Sequence, residues 1–150
     1  MPNFSYTESR YENPQDRHYG QPVFRPFLGT MLERDGRFST EIWSLVDSGG
    51  DYCMFPLAFL DELGIDKSTL KTSRPFGMGE GFPAYFATVT VHVTGLDSFE
   101  EEVAFCERVR AEDFAILGNR GFFDRFKIAF DHRSRIFSVN PYLRPLGISE

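Results

Sequence analysis

The clearest pattern along the chain is a regular alternation of side chains between Ala84 and Val93, where valines at every second position are separated by Thr and His. A period of two is typical of a half-buried strand, because successive side chains point to opposite faces. Short apolar segments bounded by turn residues recur along much of the chain. We therefore expect further strands at Pro22–Glu33, Phe38–Val46, Thr69–Phe76, Glu102–Glu107, Phe114–Leu117, Arg125–Asp131 and Ile136–Val139. Short strands at close spacing predict an all-β, barrel-like domain.

Proline and glycine refine this prediction. Pro26 is expected to break or bend the first strand, because proline cannot donate to a central ladder. Asp35-Gly36 predicts a two-residue hairpin turn. A short helix is expected to start at Pro56 and to end at Gly64, since leucines between them repeat at helical spacing. The stretch after Gly118 also has a helix-like pattern.

The first 21 residues differ from the rest, because they are polar and show no apolar periodicity. We interpret residues 1–21 as a flexible N-terminal arm and residues 22–150 as one domain. A chain of 150 residues is long enough to bury a core of its own.

Charge and composition exclude several partners. Sixteen Lys and Arg against 22 Asp and Glu give a net charge of −6, which argues against binding to nucleic acid or to anionic membranes. No apolar run is long enough to span a bilayer, and the first 20 residues lack the apolar core of a signal peptide. We expect a cytoplasmic protein in which Cys53 and Cys106 are buried thiols.

Candidate chemistry centres on Asp47, which follows the apolar segment Ile42–Val46 and precedes a turn of small residues, Ser48-Gly49-Gly50. A carboxylate at the end of a buried strand must be hydrogen-bonded, paired or protonated, because an isolated charge out of water is costly. An ordinary surface turn is the alternative, since Asp and Gly are common turn residues.

Four features in order resemble the retropepsin-like aspartic proteases. They are Asp47-Ser48-Gly49, the helix that ends at Gly64, the glycine-rich segment 77–81 and the apolar sequence Ile116-Leu117-Gly118. The resemblance covers about Pro22 to Val139. It implies a half-pepsin barrel with one or two short helices that forms a twofold homodimer.

The chemistry of this family needs two neighbouring carboxyl groups. Like charges a few ångströms apart resist double ionisation, so the pair holds one proton and supplies a base and an acid together. This chain has a single Asp-Ser-Gly triplet, so the second carboxyl must come from Asp47 of another copy. The resemblance implies that Ser48 hydrogen-bonds across the dimer axis and that Gly49 lets backbone amides approach the carboxylates. No cofactor or metal is required.

The glycine-rich segment corresponds in the resemblance to a flap that closes over an extended peptide. Gly77, Gly79 and Gly81 would permit its motion, and Met78 would present apolar surface to the substrate. A flexible hairpin loop is the alternative for the same residues.

Gly50 departs from the family pattern, in which Ala or a hydroxyl residue is more common. Without a hydroxyl to bond the carboxylate, its ionised form is less favoured. We therefore expect the dyad to work nearer weakly acidic or neutral pH than strongly acidic pH.

Two other readings remain open from the sequence. The three histidines have no metal-ligand spacing, but Cys53 paired with a histidine is conceivable as a nucleophile. The same fold is also compatible with a dimeric peptide-binding or scaffolding module of little or no turnover, since fold alone does not set function. The intact Asp47-Ser48-Gly49 triplet favours an aspartic endopeptidase acting on peptides or proteins.

Overall fold

The computed structural model describes residues 2–73, 82–110 and 113–143. One α-helix, α1 (Phe59–Leu63), and a 3-10 helix at Lys67–Thr69 lie within these ranges. The remaining regular secondary structure in these ranges consists of β-strands. The strands are β1 (Asn3–Ser5), β2 (Thr7–Arg10), β3 (Pro22–Arg25), β4 (Phe27–Arg34), β5 (Arg37–Phe38), β6 (Ile42–Val46), β7 (Met54–Pro56), β8 (Lys71–Ser73), β9 (Ala84–Val93), β10 (Phe99–Cys106), β11 (Ala115–Leu117), β12 (Phe126–Asp131) and β13 (Ile136–Pro141).

Six strands form a closed barrel. Their order is β4-β6-β11-β7-β10-β9, and β9 pairs again with β4 to close the ring. β5 and β8 extend this sheet at its two ends, while β1, β13 and β12 form a separate three-stranded sheet. The prediction of an all-β barrel with one or two short helices is confirmed.

The first hairpin forms as its turn residues predict. Asp35 and Gly36 both have positive φ, at 50° and 79°, as a two-residue hairpin turn of the primed type requires. Pro26 separates β3 from β4 as expected, because its missing N–H interrupts the ladder.

Residues 2–21, which the sequence pattern predicts to be part of a flexible N-terminal arm, contain two short paired strands. β1 pairs with β13, and β2 pairs with β3. Phe4 and Tyr6 give the physical reason, because their rings lie 5.5 Å and 5.9 Å from that of Phe137. These two aromatic residues at a spacing of two pack this polar segment against the neighbouring three-stranded sheet. That residues 22–150 form a domain without it stays a prediction.

Two expected helices also require correction. Pro56 lies in β7, and α1 begins only at Phe59. Met54–Pro56 is buried and pairs with β10 along one edge and β11 along the other, so its continuous apolar run reflects an interior strand of the sheet. Residues 119–125 form turns, although Phe122 and Phe126 have the i, i+4 spacing of a helix. The predicted end of α1 is confirmed, since Gly64 caps it with a φ of 71°.

Phenylalanine fills much of the interior. Fully buried rings include those of Phe55, Phe59, Phe105, Phe122 and Phe137. The described residues contain no helix with the length and apolar character needed to cross a membrane.

Candidate active site

Strand β6 carries Asp47 to the outer side of the barrel. Ile42, Ser44 and Val46 are buried, so the alternate positions Trp43 and Leu45 point outward, and Asp47 continues that outward series. β6 runs parallel to β11, with Val46 opposite Leu117. Parallel pairing brings the turns that follow the two strands to the same edge.

The turn after β6 is held by its own backbone and by β11. The Asp47 N–H donates to the Leu117 carbonyl at 3.0 Å, and the Gly50 N–H donates to the Asp47 carbonyl at 3.1 Å. The Gly49 N–H donates to Asp47 Oδ1 at 2.8 Å. The Asp47 carboxylate is therefore oriented by the backbone of its own turn.

The turn after β11 is fastened to the same segment. The Asn119 N–H donates to the Gly50 carbonyl at 2.8 Å, and the Arg120 N–H donates to the Asp51 carbonyl at 3.0 Å. A Cβ on Gly118 would lie 2.7 Å from the Gly50 carbonyl oxygen and closer still to that of Tyr52. Only glycine permits this approach of two backbones, so Gly118 has a structural role behind the Asp47 turn.

Gly50 has a steric explanation in the structure. A Cβ built on it would lie 2.9 Å from Cγ2 of Ile116. The β-branched side chain of Ile116 thus occupies the space that Ala or a hydroxyl residue at position 50 would need. The departure of Gly50 from the family pattern is coupled to its neighbour on β11.

Among the described residues, the exposed groups of this turn have few partners. Asp47 is half-buried, whereas Ser48 and Gly49 are exposed. Within the described residues, the Gly49 amide supplies the one hydrogen bond to the Asp47 carboxylate, and the Ser48 hydroxyl has none. This arrangement can offer a carboxylate oxygen and a hydroxyl to a second molecule.

The predicted substrate-binding residues Gly77, Met78, Gly79 and Gly81 lie outside the described residues. The strands on either side of them are described. β8 and β9 pair antiparallel, with Ser73 opposite Ala84, so the two strands that flank the glycine-rich segment form a hairpin.

The hypothesis of a Cys53 nucleophile is wrong. Cys53 is completely buried, and its Sγ lies 3.6 Å from the Arg120 carbonyl oxygen. Burial raises the pKa of the thiol to about 12, although a hydrogen bond from the Gly118 backbone partly opposes the shift. A thiol held in its neutral form is a poor nucleophile. The described part of the chain also contains no group of three His, Cys, Asp or Glu residues suited to a metal ion.

One feature near the turn is not predicted from the sequence. Trp43 and the N-terminal segment line the same cavity on the outer face of β6. The alternation along β6 already predicts that Trp43 lies on the same face as Asp47. The N-terminal segment that completes the cavity is distant from Trp43 in sequence, so its position is not predicted.

Comparison with known proteins finds similarity among solved structures and none by sequence. The chain matches no family model and no curated protein in sequence. Among solved structures, it is similar to a retropepsin-like aspartic protease from Rickettsia conorii, with a TM-score of 0.49 and 20% sequence identity over 75% of this chain and 89% of that chain.

Proposed function

We propose that the chain is an aspartic-type endopeptidase that acts as a homodimer, with one Asp47 from each copy forming the catalytic pair. The observation that carries this proposal is the position of Asp47. Its carboxylate stands on a rigid turn at the barrel's outer edge, is oriented by the Gly49 amide and keeps the rest of its hydrogen-bonding capacity for another molecule.

The proposed reaction uses water as the nucleophile. One Asp47 carboxylate takes a proton from water while the other, protonated, donates to the carbonyl oxygen of the peptide bond. The C–N bond of the resulting diol breaks as the carboxyl that took the water proton donates it to the leaving nitrogen, while the other carboxylate accepts a proton from a diol hydroxyl. The pair therefore again holds one proton at the end of the cycle, and its two titrations belong to the pair as a unit.

Symmetry explains why one triplet is sufficient. A twofold interface places identical residues opposite each other at its axis, so a surface turn near that axis meets its own copy. The free Ser48 hydroxyl suits a hydrogen bond to the partner's turn, and Gly49 leaves room around the carboxylates. In this proposal the segment between β8 and β9, with Gly77, Met78, Gly79 and Gly81, covers the bound peptide.

The proposal includes a cytoplasmic location. Both Cys53 and Cys106 are buried free thiols, which fits a reducing compartment.

Asp47→Asn is the decisive variant, tested with a peptide library. We expect cleavage to fall by at least about 10²- to 10⁴-fold, because an amide cannot exchange the proton. Its oxygen still accepts from Gly49, so the midpoint of urea unfolding should hardly change. The matched control is Asp97→Asn, since Asp97-Ser98 is an exposed Asp-Ser pair outside any glycine turn. If both variants cleave peptides at the wild-type rate, the proposal is overturned.

A mixing experiment tests whether the site is shared. An excess of Asp47→Asn chains should suppress wild-type cleavage, because mixed dimers contain one carboxyl in place of two. Sedimentation velocity on the same mixtures reports whether dimers form. If the wild-type protein binds peptides but does not cleave them, the hypothesis of a peptide-binding or scaffolding module replaces that of an enzyme.

A further inference from the structure

A cavity of about 530 Å³ lies on the outer face of β6, away from the barrel core. Three of its aromatic lining residues, Phe27, Trp43 and Phe114, come from three different strands or their flanks. The Phe27 ring lies 6.3 Å from that of Trp43 and 5.3 Å from that of Phe114, measured between centroids. These three rings therefore form one continuous apolar surface.

The Trp43 ring is open to this cavity. Its residue is 54% exposed, although tryptophan is among the residues that gain most from burial. Phe27, whose ring lies 6.3 Å from that of Trp43, is buried. A concave surface lined by aromatic side chains is typical of a ligand site.

The cavity lies at a defined distance from Asp47. Trp43, Leu45 and Asp47 point to the same side of β6, and four residues of strand span about 13 Å at roughly 3.3 Å each. An extended peptide has nearly the same rise per residue. A peptide centred on Asp47 and lying along this face thus reaches the cavity about four residues from its centre.

The N-terminal segment builds the opposite wall. All four residues of β2 line the cavity, together with Tyr11, Glu12 and Asn13. Successive side chains of a strand point to opposite faces, so a cavity lined by every residue borders the strand's edge. In the described part of the chain, β2 pairs with β3 alone. Its second edge is therefore available to the backbone of an extended peptide.

The rim of the cavity carries more acidic than basic groups. The carboxylates belong to Glu8, Glu12, Asp16 and Asp113, and the guanidinium groups belong to Arg10 and Arg25. Both guanidinium groups have acceptors within the chain. Arg10 Nη1 donates to the Gly20 carbonyl at 2.8 Å, and Arg25 Nη1 donates to Ser9 Oγ at 3.5 Å. The rim therefore favours a ligand in which basic rather than acidic groups flank the part that enters the cavity.

We propose that this cavity is a distal substrate subsite, in which the aromatic surface around Trp43 takes a large apolar or aromatic side chain about four residues from the cleaved bond while the peptide backbone runs along β2. The inference rests on the proposed function and adds a substrate class to it, namely extended peptides with a bulky apolar residue flanked by neutral or basic ones. Because the dimer is twofold, one such subsite lies on each side of the cleaved bond.

Binding is measured first, since Trp43 is the single tryptophan of the chain and reports on the cavity by its own fluorescence. The full-length Asp47→Asn protein is titrated with dodecapeptides of Gly, Ser and Lys in which one Phe is moved a position at a time. Phe placed about four residues from the centre should shift the Trp43 emission and tighten Kd by about tenfold over Gly, as burial of one such ring allows. Exchange of its Lys neighbours for Glu should weaken binding. Equal affinity and unchanged emission for Phe and Gly peptides would overturn the inference.

Cleavage by the wild-type protein is measured next. The ratio of kcat/KM for Phe over Gly at the distal position should be about ten and should fall toward one in Trp43→Ala. Phe38→Ala is the matched control, because Phe38 is another half-exposed aromatic residue and does not line the cavity. It should keep the ratio of the wild type.

The two measurements separate this inference from the proposed function. Cleavage without any distal preference overturns the subsite and leaves the endopeptidase standing. Absence of cleavage with a Phe-specific change in Trp43 emission overturns the endopeptidase and leaves a peptide site. Absence of both overturns the two together.

Discussion

The turns that follow β6 and β11 begin from the same geometry and end in different environments. Both strands run parallel, side by side, and both end in a glycine-containing turn. After β6, Ser48 and Gly49 are exposed and the Asp47 carboxylate has one partner within the described chain. After β11, Gly118 is buried, and backbone atoms of residues 50 and 52 press against it.

This difference indicates a structural role for the β11 turn and a chemical role for the β6 turn. The β11 turn is fixed by close packing at Gly118, so it supports the Asp47 turn beside it. The β6 turn is held by backbone hydrogen bonds and by the bond from the Gly49 amide to the Asp47 carboxylate, and the Ser48 side chain is exposed. Substitutions in the β11 turn should therefore change the stability of the fold, and substitutions in the β6 turn should change activity.

Gly118→Ala tests this division with the largest expected effect. Its Cβ would meet two carbonyl oxygens that cannot move without breaking the turn, so the free energy of unfolding should fall by about 3 kcal/mol or more. Urea unfolding measures this. The counterpart is Gly49→Ala, where the nearest atom is the Asp47 carboxylate at 3.1 Å. It should lower kcat/KM with a much smaller change in stability, and an equal loss of stability in both variants would break the comparison.

Gly50→Ala probes the contact between the two turns. A methyl group 2.9 Å from Cγ2 of Ile116 should cost about 1–3 kcal/mol of unfolding free energy. Ile116→Leu moves the branch away from Cβ and should recover part of that loss in the double variant. A double-mutant cycle in urea gives the coupling, and additive single changes would show that Ile116 is not the cause.

Cys53→Ala tests the link behind the turns, where the thiol contacts the Arg120 carbonyl. Loss of the buried sulfur should destabilise the fold by about 1 kcal/mol. The raised pKa, about 12 against an ordinary 9.0, means that the unfolded chain releases this proton first, so stability should fall as pH rises above about 9. The difference between wild type and Cys53→Ala isolates this slope from other titrating groups.

Alkylation gives the same test a direct readout. Iodoacetamide at pH 8 should leave Cys53 unmodified in the folded protein and label it after unfolding in urea, as counted by mass spectrometry. Rapid labelling of the folded chain would contradict a buried, neutral thiol.

The smallest expected effect concerns the pH profile of cleavage. Wild-type kcat/KM should peak at weakly acidic to neutral pH, because no hydroxyl at position 50 stabilises the ionised carboxylate. Gly50→Ser combined with Ile116→Leu supplies that hydroxyl and should move the acidic limb downward by about one pH unit or less. A wild-type maximum near pH 2 to 3 would contradict this account.

Local patterns predicted most of the barrel. The alternation from Ala84 to Val93 matches β9 residue for residue, and Asp35-Gly36 turns the chain as expected. Prediction failed where one pattern fits two structures. The apolar run Met54–Pro56 resembles the start of a helix until the strands that pair with its two edges are known.

The site was predictable only in part. Asp47 stands out because a strand pattern, an acid and small turn residues coincide within a few positions. The cavity at Trp43 depends on residues 7–13, whose strand forms through long-range pairing with residues 22–25. No local signal in a polar segment indicates which distant strand it will join.

The parallel pairing of β6 with β11 has a consequence for the order of events during synthesis. Ser44 pairs with Ala115, about seventy residues later in the chain. Contacts of such long range form late, because a large loop must close before they contribute. A nascent chain on the ribosome therefore cannot pair the Asp47 turn with β11 until that strand has emerged, so incomplete products would carry the acid without the neighbouring strand that holds its turn.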